Sequence, residues 1–358
     1  NGLYHPTAKA FLEYGPFCLP VITRGARTEG VNGMRQETLD QWVNPLVVNR
    51  ADPYIMRHQD GYYYFTATVP EYDRIELRRS KTISGIKEAE AVTIWVQHDE
   101  GEMVNHIWAP EIHFVEEKWY IYFAAAHSED QWRIRMYVLE TDAENPMTGV
   151  WTEKGQIKTL WESFSLDATT FSYKGMRYLV WAQNDPDMGG NTNLYIDEMV
   201  NPWTLAGKQR LLTKPDLAWE RIGYKVNEGP AILQIMDKVT GQCHIYMTYS
   251  VSATDFNYCM GLLKLVPGAD PLQSANWEKA SLPIFKTCEE TGVYGPGHNS
   301  FTQTEDGRIL MVYHARQYKY IEGEPLDDPN RHTRVQPIDV KDGELVFGTP
   351  VGDGAVCP

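Results

Sequence analysis

Cysteine is scarce in this sequence, and its few copies show no functional spacing. The five cysteines are Cys18, Cys243, Cys259, Cys288 and Cys357. No two of them form a CxxC pair or a zinc-binding spacing, so a thiolate metal site is not expected. Cys243 and Cys259 flank a segment centred near Val251, which is compatible with a hairpin disulfide, but we expect buried thiols there.

Clustered basic residues and cofactor motifs are also missing. The formal net charge is −15, and phosphate binding depends on grouped Lys and Arg, which argues against a nucleic-acid partner. The chain contains neither a P-loop nor a dinucleotide-binding glycine fingerprint, so nucleotide chemistry and an organic cofactor are not expected. No apolar run is long enough to cross a membrane, so we expect no membrane partner.

Strand signals, in contrast, are abundant and repeated. Five aromatic runs stand between turn signals: "YYYFTAT", "WYIYFAAA", "RYLVWAQ", "CHIYMTYS" and "RILMVYHA". A shorter apolar stretch precedes each run and contains a polar residue near its start: "ADPYI", "APEIHF", "LDATTF", "NEGPAIL" and "GHNSF". These polar residues are Asp52, Glu111, Asp167, Glu228 and His298, separated by 59, 56, 61 and 70 residues.

A repeat of this length with a recurring hairpin is typical of a propeller blade. The sequence therefore predicts an all-β fold, a five-bladed β-propeller; a β-sandwich is the alternative. The first strand of every propeller blade lines the central channel. We therefore expect the five polar residues to gather around the axis on one face of the ring.

Two regions lie outside the blade pattern. Residues 1–44 lack strand alternation, and we expect an extension packed on the ring, with a helical stretch near 36–42; residues 45–358 would form the catalytic propeller. The tail at 334–347 reads as a last hairpin with a "KDGE" turn. The chain opens at Asn1 without Met or a signal-like segment, as it would after removal of an export signal, so we expect an extracellular or periplasmic protein rather than a cytoplasmic one.

Four carboxylates around one channel supply the groups that glycoside hydrolysis needs. One acid must protonate the leaving oxygen, while a second carboxylate acts as base or nucleophile. Crowding of like charges and partial burial would raise the pKa of at least one of them. Strands facing each other across a ring leave room for the carboxyl separation of about 6.5–9.5 Å that inversion uses.

The ordered motifs resemble glycoside hydrolase family 43, and within it the exo-acting α-L-arabinofuranosidases. The resemblance extends from about residue 44 to 347 and rests on motifs such as "HIWAPEIH", "ESFSLDATTF", "VNEGPAIL", "YGPGHNSF" and "DPNRHTRVQ". It implies a five-bladed propeller that acts on arabinose- and xylose-containing plant polysaccharides. It implies no role for the first 44 residues.

The resemblance also implies residue roles. Asp52 would be the general base, Asp167 would orient the acid and raise its pKa, and Glu228 would be the general acid. The alternatives are a helix N-cap or Asx-turn for Asp52, and turn or loop acids for the other two.

The remaining implied roles concern substrate and metal. Trp108 and Glu111 would wall the sugar pocket, and Arg334 would reach the innermost subsite; core packing of Trp108 and a surface ion pair of Arg334 are the alternatives. His298 resembles the family's axial histidine near a bound cation, commonly calcium. Because calcium prefers oxygen ligands, the alternative is that the His298 imidazole only forms hydrogen bonds.

The expected function is therefore an inverting glycosidase that releases terminal α-L-arabinofuranose from arabinan or arabinose-decorated xylan. A β-xylosidase could use the same three acids, because the two sugars present similar hydroxyl arrangements. A non-catalytic sugar-binding propeller is the alternative outside the enzymes, and it would have no use for three acids in one channel.

Overall fold

Each aromatic run of the sequence forms the second strand of an antiparallel sheet. In the computed structural model, which describes residues 18–20, 41–237, 240–341 and 343–356, five such sheets surround one axis. Their first strands contact each other in turn, and the first strand of the fifth sheet contacts that of the first sheet. The predicted five-bladed β-propeller is therefore confirmed.

The strands of each blade follow one another along the chain from the axis outward. Blade 1 contains Ala51–Arg57, Tyr63–Thr68, Arg74–Ser80 and Val92–Val96, and blade 2 contains Asn105–Val115, Lys118–His127, Asp130–Thr141 and Thr152–Gln156. Blade 3 contains Ser165–Tyr173, Met176–Gln183 and Asn193–Asn201, with Thr204–Leu205 and Arg210–Thr213 outermost. Blade 4 contains Asn227–Met236, Cys243–Val251, Cys259–Leu265 and Trp277–Lys279, and blade 5 contains Tyr294–Gln303, Ile309–Arg316, His332–Lys341 and Glu344–Val346.

A few short elements complete the described chain. Three further strands are Cys18–Pro20, Trp42–Asn44 and Gly354–Val356, and three 3₁₀ helices are Ser84–Ile86, Ala218–Glu220 and Ser274–Asn276. No helix in the described ranges is long and apolar enough to cross a membrane.

The apolar core lies between neighbouring blades. Tyr63–Thr68 and Ile309–Arg316 are buried at every residue, because these strands are covered on both faces of their sheets. The buried apolar side chains form five clusters at the blade interfaces; Trp119, for example, packs with blade 1 residues, and Trp181 with blade 2 residues. This two-sided burial explains why the second strands read as continuous aromatic runs rather than alternating ones.

The ring is closed by the segment that precedes blade 1. Its strand Trp42–Asn44 pairs with Gly354–Val356. The Asn44 side chain donates to the Val335 carbonyl at 3.1 Å and accepts from the Val335 amide at 2.9 Å, both in blade 5. Buried hydrogen bonds of this kind contribute about 1 kcal/mol each. This segment thus ties blade 1 to blade 5.

The N-terminal region is described in part. Residues 18–20 pair in parallel with Gln234–Met236, on the axial edge of blade 4 and at the end of the ring away from Glu228. Most of the predicted helical stretch, 36–40, lies outside the described residues, while Trp42 begins a strand rather than ending a helix.

The two cysteines considered for a disulfide lie at opposite ends of their hairpins. Cys259 pairs with Val251, whereas Cys243 pairs with Met236 at the far end of the same sheet. A bridge between them is therefore impossible, and Cys259 is a free buried thiol, as expected.

Candidate active site

The first strand of every blade contains the same one-residue bulge at its start. Between two successive residue pairs, the first strand advances by three residues while the second strand advances by two. The extra residue has a positive φ in all five blades: Asp52 (52°), Ala109 (47°), Asp167 (56°), Gly229 (51°) and His298 (43°). For a residue other than glycine this conformation costs roughly 1–2 kcal/mol, a strain typical of functional sites.

This register corrects one expectation from the sequence. Only Asp52, Asp167 and His298 occupy the equivalent bulge position. Glu228 lies one residue before the bulge of blade 4, and Glu111 two residues after the bulge of blade 2. The five polar residues still share one face of the ring, but they are not five copies of a single position.

Asp52 is the most heavily contacted carboxylate. The Thr68 hydroxyl donates to its Oδ2 at 2.6 Å, and the same hydroxyl accepts from the Ala109 amide of blade 2. Its Oδ1 lies 3.3 Å from His298 Nδ1 and 3.6 Å from Arg331 Nη1. Two cationic groups and a hydroxyl donor therefore surround one buried acid.

These contacts keep Asp52 ionised. Burial by itself would raise the pKa of the Asp52 carboxyl, but the charges of His298 and Arg331 and the neighbouring His314 outweigh burial and hold the pKa well below its usual range. The Asp52 amide donates to His314 Nδ1 at 3.0 Å. Burial lowers the pKa of His314 to about 3, so this imidazole is neutral and its Nδ1 is a hydrogen-bond acceptor.

Asp167 has the opposite electrostatic character. Burial raises its pKa to about 6, and the Asp52 charge adds to the effect. Its Oδ2 accepts the Gly229 amide at 2.9 Å and lies 3.9 Å from His298 Nδ1. Because Gly229 follows Glu228 directly, this hydrogen bond links the second aspartate to the backbone that carries the glutamate.

His298 lies between the two aspartates. Burial alone would lower the pKa of the His298 imidazole, but the surrounding carboxylates, Asp52 first, raise it above its ordinary value. Its amide donates to the Ser250 hydroxyl at 2.7 Å. A Cβ atom added at Gly229 would lie 3.1 Å from the imidazole ring, so any larger residue at this bulge would press on His298.

Glu228 is partly buried beside a tyrosine. The Tyr258 hydroxyl donates to its Oε1 at 2.7 Å. Burial, together with the Asp167 charge, raises the pKa of Glu228 to about 7. The site therefore holds an ionised acid, Asp52, and an acid that keeps its proton in about half of the molecules near neutral pH, Glu228.

An aromatic wall extends from Asp52 towards the rim of blade 2. The ring of Tyr72, whose hydroxyl accepts from Arg331 at 3.2 Å, lies 5.7 Å from Trp108. His106 stacks on Trp108 at 4.3 Å and reaches Trp132, which is 49% exposed. Trp132 is thus a rim residue.

Glu111 and Arg334, two of the predicted substrate residues, have protein partners. The Glu111 Oε2 lies 2.8 Å from His113 Nε2. Arg334 is fully buried and binds Asp353 and the Val351 carbonyl at the seam near the chain end. It is Arg331, three residues earlier, that contacts Asp52.

The sequence reasoning missed several residues that hold the site together. Thr68, Ser250 and His314 all lie at the end of the second strand of a blade, where that strand faces the bulge of a first strand. A polar residue that ends an aromatic run was visible in the sequence and is the signal that identifies them. Tyr258 and Arg331 carry no such signal.

Two cavities lie near the acids and differ in size. Between blade 1 and the blade 5 loop at 328–331, Ala51, Thr68, Tyr72 and Arg331 help to line a cavity of about 10 Å³, room for one water at most. Beside the segment that leads into Glu228, a pocket of about 450 Å³ opens between blades 3 and 4. The larger of these two cavities therefore lies on the Glu228 side.

Comparison with known proteins agrees with the resemblance seen in the sequence. The pattern of the glycosyl hydrolases family 43 matches residues 43–345. An extracellular exo-alpha-(1->5)-L-arabinofuranosidase of Streptomyces avermitilis is 57% identical over 315 residues, which cover 87% of this chain and 64% of that protein. Alpha-L-arabinofuranosidase 43 of Humicola insolens is 52% identical over 316 residues, with 87% and 64% covered.

A solved structure gives the same result. The crystal structure of an alpha-L-arabinofuranosidase from Lactobacillus brevis superposes with a TM-score of 0.83 at 48% identity, covering 87% of this chain and 98% of that one. The chain spans 64% of the length of the Streptomyces avermitilis and Humicola insolens relatives.

The hydrogen bond from Tyr258 yields a prediction about Glu228. A donor to a carboxylate stabilises the charged form, so Tyr258→Phe should raise the Glu228 pKa above its value near 7. ¹³C NMR titration of the Glu228 carboxyl measures it. Tyr246→Phe is the control, because this buried tyrosine donates to the Gly343 carbonyl away from the site. An equal or lower Glu228 pKa in Tyr258→Phe would contradict the argument.

Proposed function

Because the chain belongs to glycoside hydrolase family 43, we propose that it is an inverting, exo-acting α-L-arabinofuranosidase. Its substrate would be the terminal α-L-arabinofuranosyl residue of arabinan or of arabinose-decorated xylan. The observation that carries the proposal is a pair of acids near one imidazole whose pKa values are shifted apart: that of Asp52 is held well below its usual range and that of Glu228 is raised to about 7. The names of the Streptomyces avermitilis and Humicola insolens relatives, both more than half identical to this chain, favour arabinose over xylose.

Asp52 acts in this proposal as the general base. Its carboxylate stays charged at neutral pH because His298 and Arg331 stabilise the anion. It accepts a proton from the water that attacks the anomeric carbon. The strong stabilisation makes it a weak base in the free enzyme, and any change in its proton affinity must come from the bound sugar and water.

Glu228 acts as the general acid and Asp167 as its positioning residue. Glu228 gives its proton to the glycosidic oxygen as the bond to the leaving saccharide breaks. Asp167 contributes in two ways: its charge raises the Glu228 pKa, and its hydrogen bond to the Gly229 amide fixes the backbone beside the acid. Raising an acid's pKa towards the working pH is what an efficient proton donor requires.

The walls of the pocket supply sugar recognition. Trp108 and Tyr72 offer apolar faces for a furanose ring, and Arg331 offers guanidinium donors for its hydroxyls. Glu111 would accept hydrogen bonds from the sugar hydroxyls. His113 contacts one of its carboxylate oxygens, and the other oxygen serves as the acceptor.

The loop contact beside Asp52 favours exo action. The Tyr72 hydroxyl donates to the Leu326 carbonyl at 2.6 Å, so the blade 5 loop is bound to blade 1 next to Asp52. A loop held across this side of the site favours a terminal sugar over an internal one.

The substrate implies where the protein works. Plant cell-wall polysaccharides are too large to enter a cell, and the Streptomyces avermitilis relative is named as extracellular. We therefore propose an extracellular protein, with such a polysaccharide or its oligosaccharides as its binding partner.

Leaving-group dependence tests the two catalytic roles. Glu228→Ala should lower kcat/KM on arabinotriose by about 10²- to 10⁴-fold but spare much of the activity on nitrophenyl arabinofuranoside, because a nitrophenolate leaves without a proton. Asp52→Ala should depress both substrates alike, since water attacks in either case. Steady-state kinetics measures this, with Glu305→Ala, an exposed turn residue, and circular dichroism as controls. The reverse pattern would exchange the roles, and losses below about tenfold in both variants would refute them.

Inversion makes a stereochemical prediction. If Asp52 activates water on the face opposite the leaving group, the first product is β-L-arabinofuranose. Proton NMR in the first minutes, before mutarotation, should show the β anomer. An α anomer appearing first would mean a covalent intermediate and would refute the base role of Asp52.

Calcium at the propeller centre stays a proposal. The His298 Nδ1 lies within ion-pair distance of both Asp52 and Asp167, so this nitrogen faces carboxylates rather than an open ligand position. Among the described residues no three or more His, Cys, Asp or Glu side chains are arranged to hold a metal ion. An ion near His298 would therefore depend mainly on water oxygens, which calcium accepts.

Chelation tests the calcium proposal. A drop in melting temperature or activity after exhaustive chelation, restored by calcium, would support an ion near His298. Unchanged values would leave His298 as a hydrogen-bonding group, the role that its contacts favour.

A further inference from the structure

The pocket of about 450 Å³ between blades 3 and 4 has no role in the catalytic steps described above. It is formed by the loop after the second strand of blade 3 and by the connection into blade 4; its lining includes Asp187, Asn193, Lys214, Asp216, Arg221 and Lys225. Its volume is in the usual range for ligand sites.

The charge of this pocket is opposite to that of the protein as a whole. Lys214, Arg221 and Lys225 carry side chains with no ion pair or hydrogen bond to another described residue. Of the two acids, Asp216 is neutralised by Lys279 at 2.7 Å. Three unpaired cations thus face one unpaired carboxylate, Asp187, in a chain whose formal net charge is −15.

The pocket adjoins the end of the site from which a leaving group departs. Lys225 is three residues before Glu228, a distance of about 10 Å along an extended chain. The connection is rigid: the Asn191 amide donates to the Lys225 carbonyl at 2.9 Å, and the Asn227 amide donates to the Thr192 carbonyl at 3.0 Å. The pocket thus lies on the Glu228 side of the acids, and a saccharide released by Glu228 can extend towards it.

Apolar side chains border the cations. Tyr224 is 57% exposed, and Ile222 and Met188 are also exposed on the same two loops. An exposed tyrosine ring next to cations is a surface suited to a sugar ring that carries a negative group.

We propose that this pocket binds the leaving-group part of the polysaccharide through a uronic-acid carboxylate. Arg221 and Lys225 would hold the carboxylate, and Tyr224 would pack against a sugar ring. The pocket thereby selects arabinofuranosyl groups attached to acidic rather than neutral chains. The inference rests on the proposed function, because it takes Glu228 as the acid next to the leaving group.

Two forms of one substrate test the proposal. The first is a preparation of arabinose-decorated xylo-oligosaccharides that carry glucuronic acid, and the second is the same preparation with its carboxyl groups reduced to alcohols. In wild-type protein kcat/KM should be about tenfold higher for the acidic form at low salt, equivalent to about 1.4 kcal/mol. The preference should disappear in about 0.5 M NaCl, because salt screens exposed charges.

Variants assign the preference to the pocket. Arg221→Gln with Lys225→Gln should bring the acidic-to-reduced ratio close to one. The matched control, Lys87→Gln with Lys341→Gln, removes the same charge from exposed lysines at the opposite end of the ring and should keep the wild-type ratio.

The possible failures are distinguishable. A wild-type ratio near one, or a ratio that survives in Arg221→Gln with Lys225→Gln, would overturn the uronate site. If the control variant loses the acidic-to-reduced ratio equally, the preference for the acidic substrate comes from the overall charge of the protein and not from this pocket. No wild-type hydrolysis of nitrophenyl arabinofuranoside would instead refute the proposed function itself.

Discussion

The imidazole of His298 between Asp52 and Asp167 is the contact on which the electrostatics of the site depend. Two carboxylates so near each other would raise each other's pKa and share one proton. A cation at 3.3 Å from Asp52 and 3.9 Å from Asp167 breaks this symmetry, and Arg331 strengthens the bias towards Asp52. One acid therefore stays charged while the other, and Glu228 beyond it, hold protons more readily.

The backbone conformation of the first strands places these side chains. The same bulge in all five first strands turns one residue per blade towards the axis, and neighbouring blades tie these residues together. Thr68 joins the Asp52 carboxylate of blade 1 to the Ala109 amide of blade 2, and Asp167 of blade 3 accepts the Gly229 amide of blade 4. Ring closure through Asn44 is thus also a condition for the geometry of the acids, since it holds blade 5 and its His298 against blade 1.

Much of the fold could be predicted from the sequence because it depends on local patterns. Aromatic second strands, their turns and a repeat of about 60 residues identify five blades without any tertiary information. The register could not be predicted, because a one-residue bulge has no consistent residue type: the five bulge positions hold Asp, Ala, Asp, Gly and His. Which arginine faces Asp52 could not be predicted for a similar reason. Both occur in "NRHTR", and only the path of the loop before the strand decides which one faces Asp52.

The repeated bulge also has a consequence for how new activities can arise on this ring. The five blades provide five equivalent bulge positions, and three of them hold a side chain of the site, Asp52, Asp167 and His298. At Gly229 a side chain would press on the His298 ring, 3.1 Å from an added Cβ. Ala109 has a Cβ and the same left-handed backbone but is buried in an apolar cluster, so a functional group there would have to displace core side chains. Each bulge position can therefore take a new group only as far as the neighbouring blade yields.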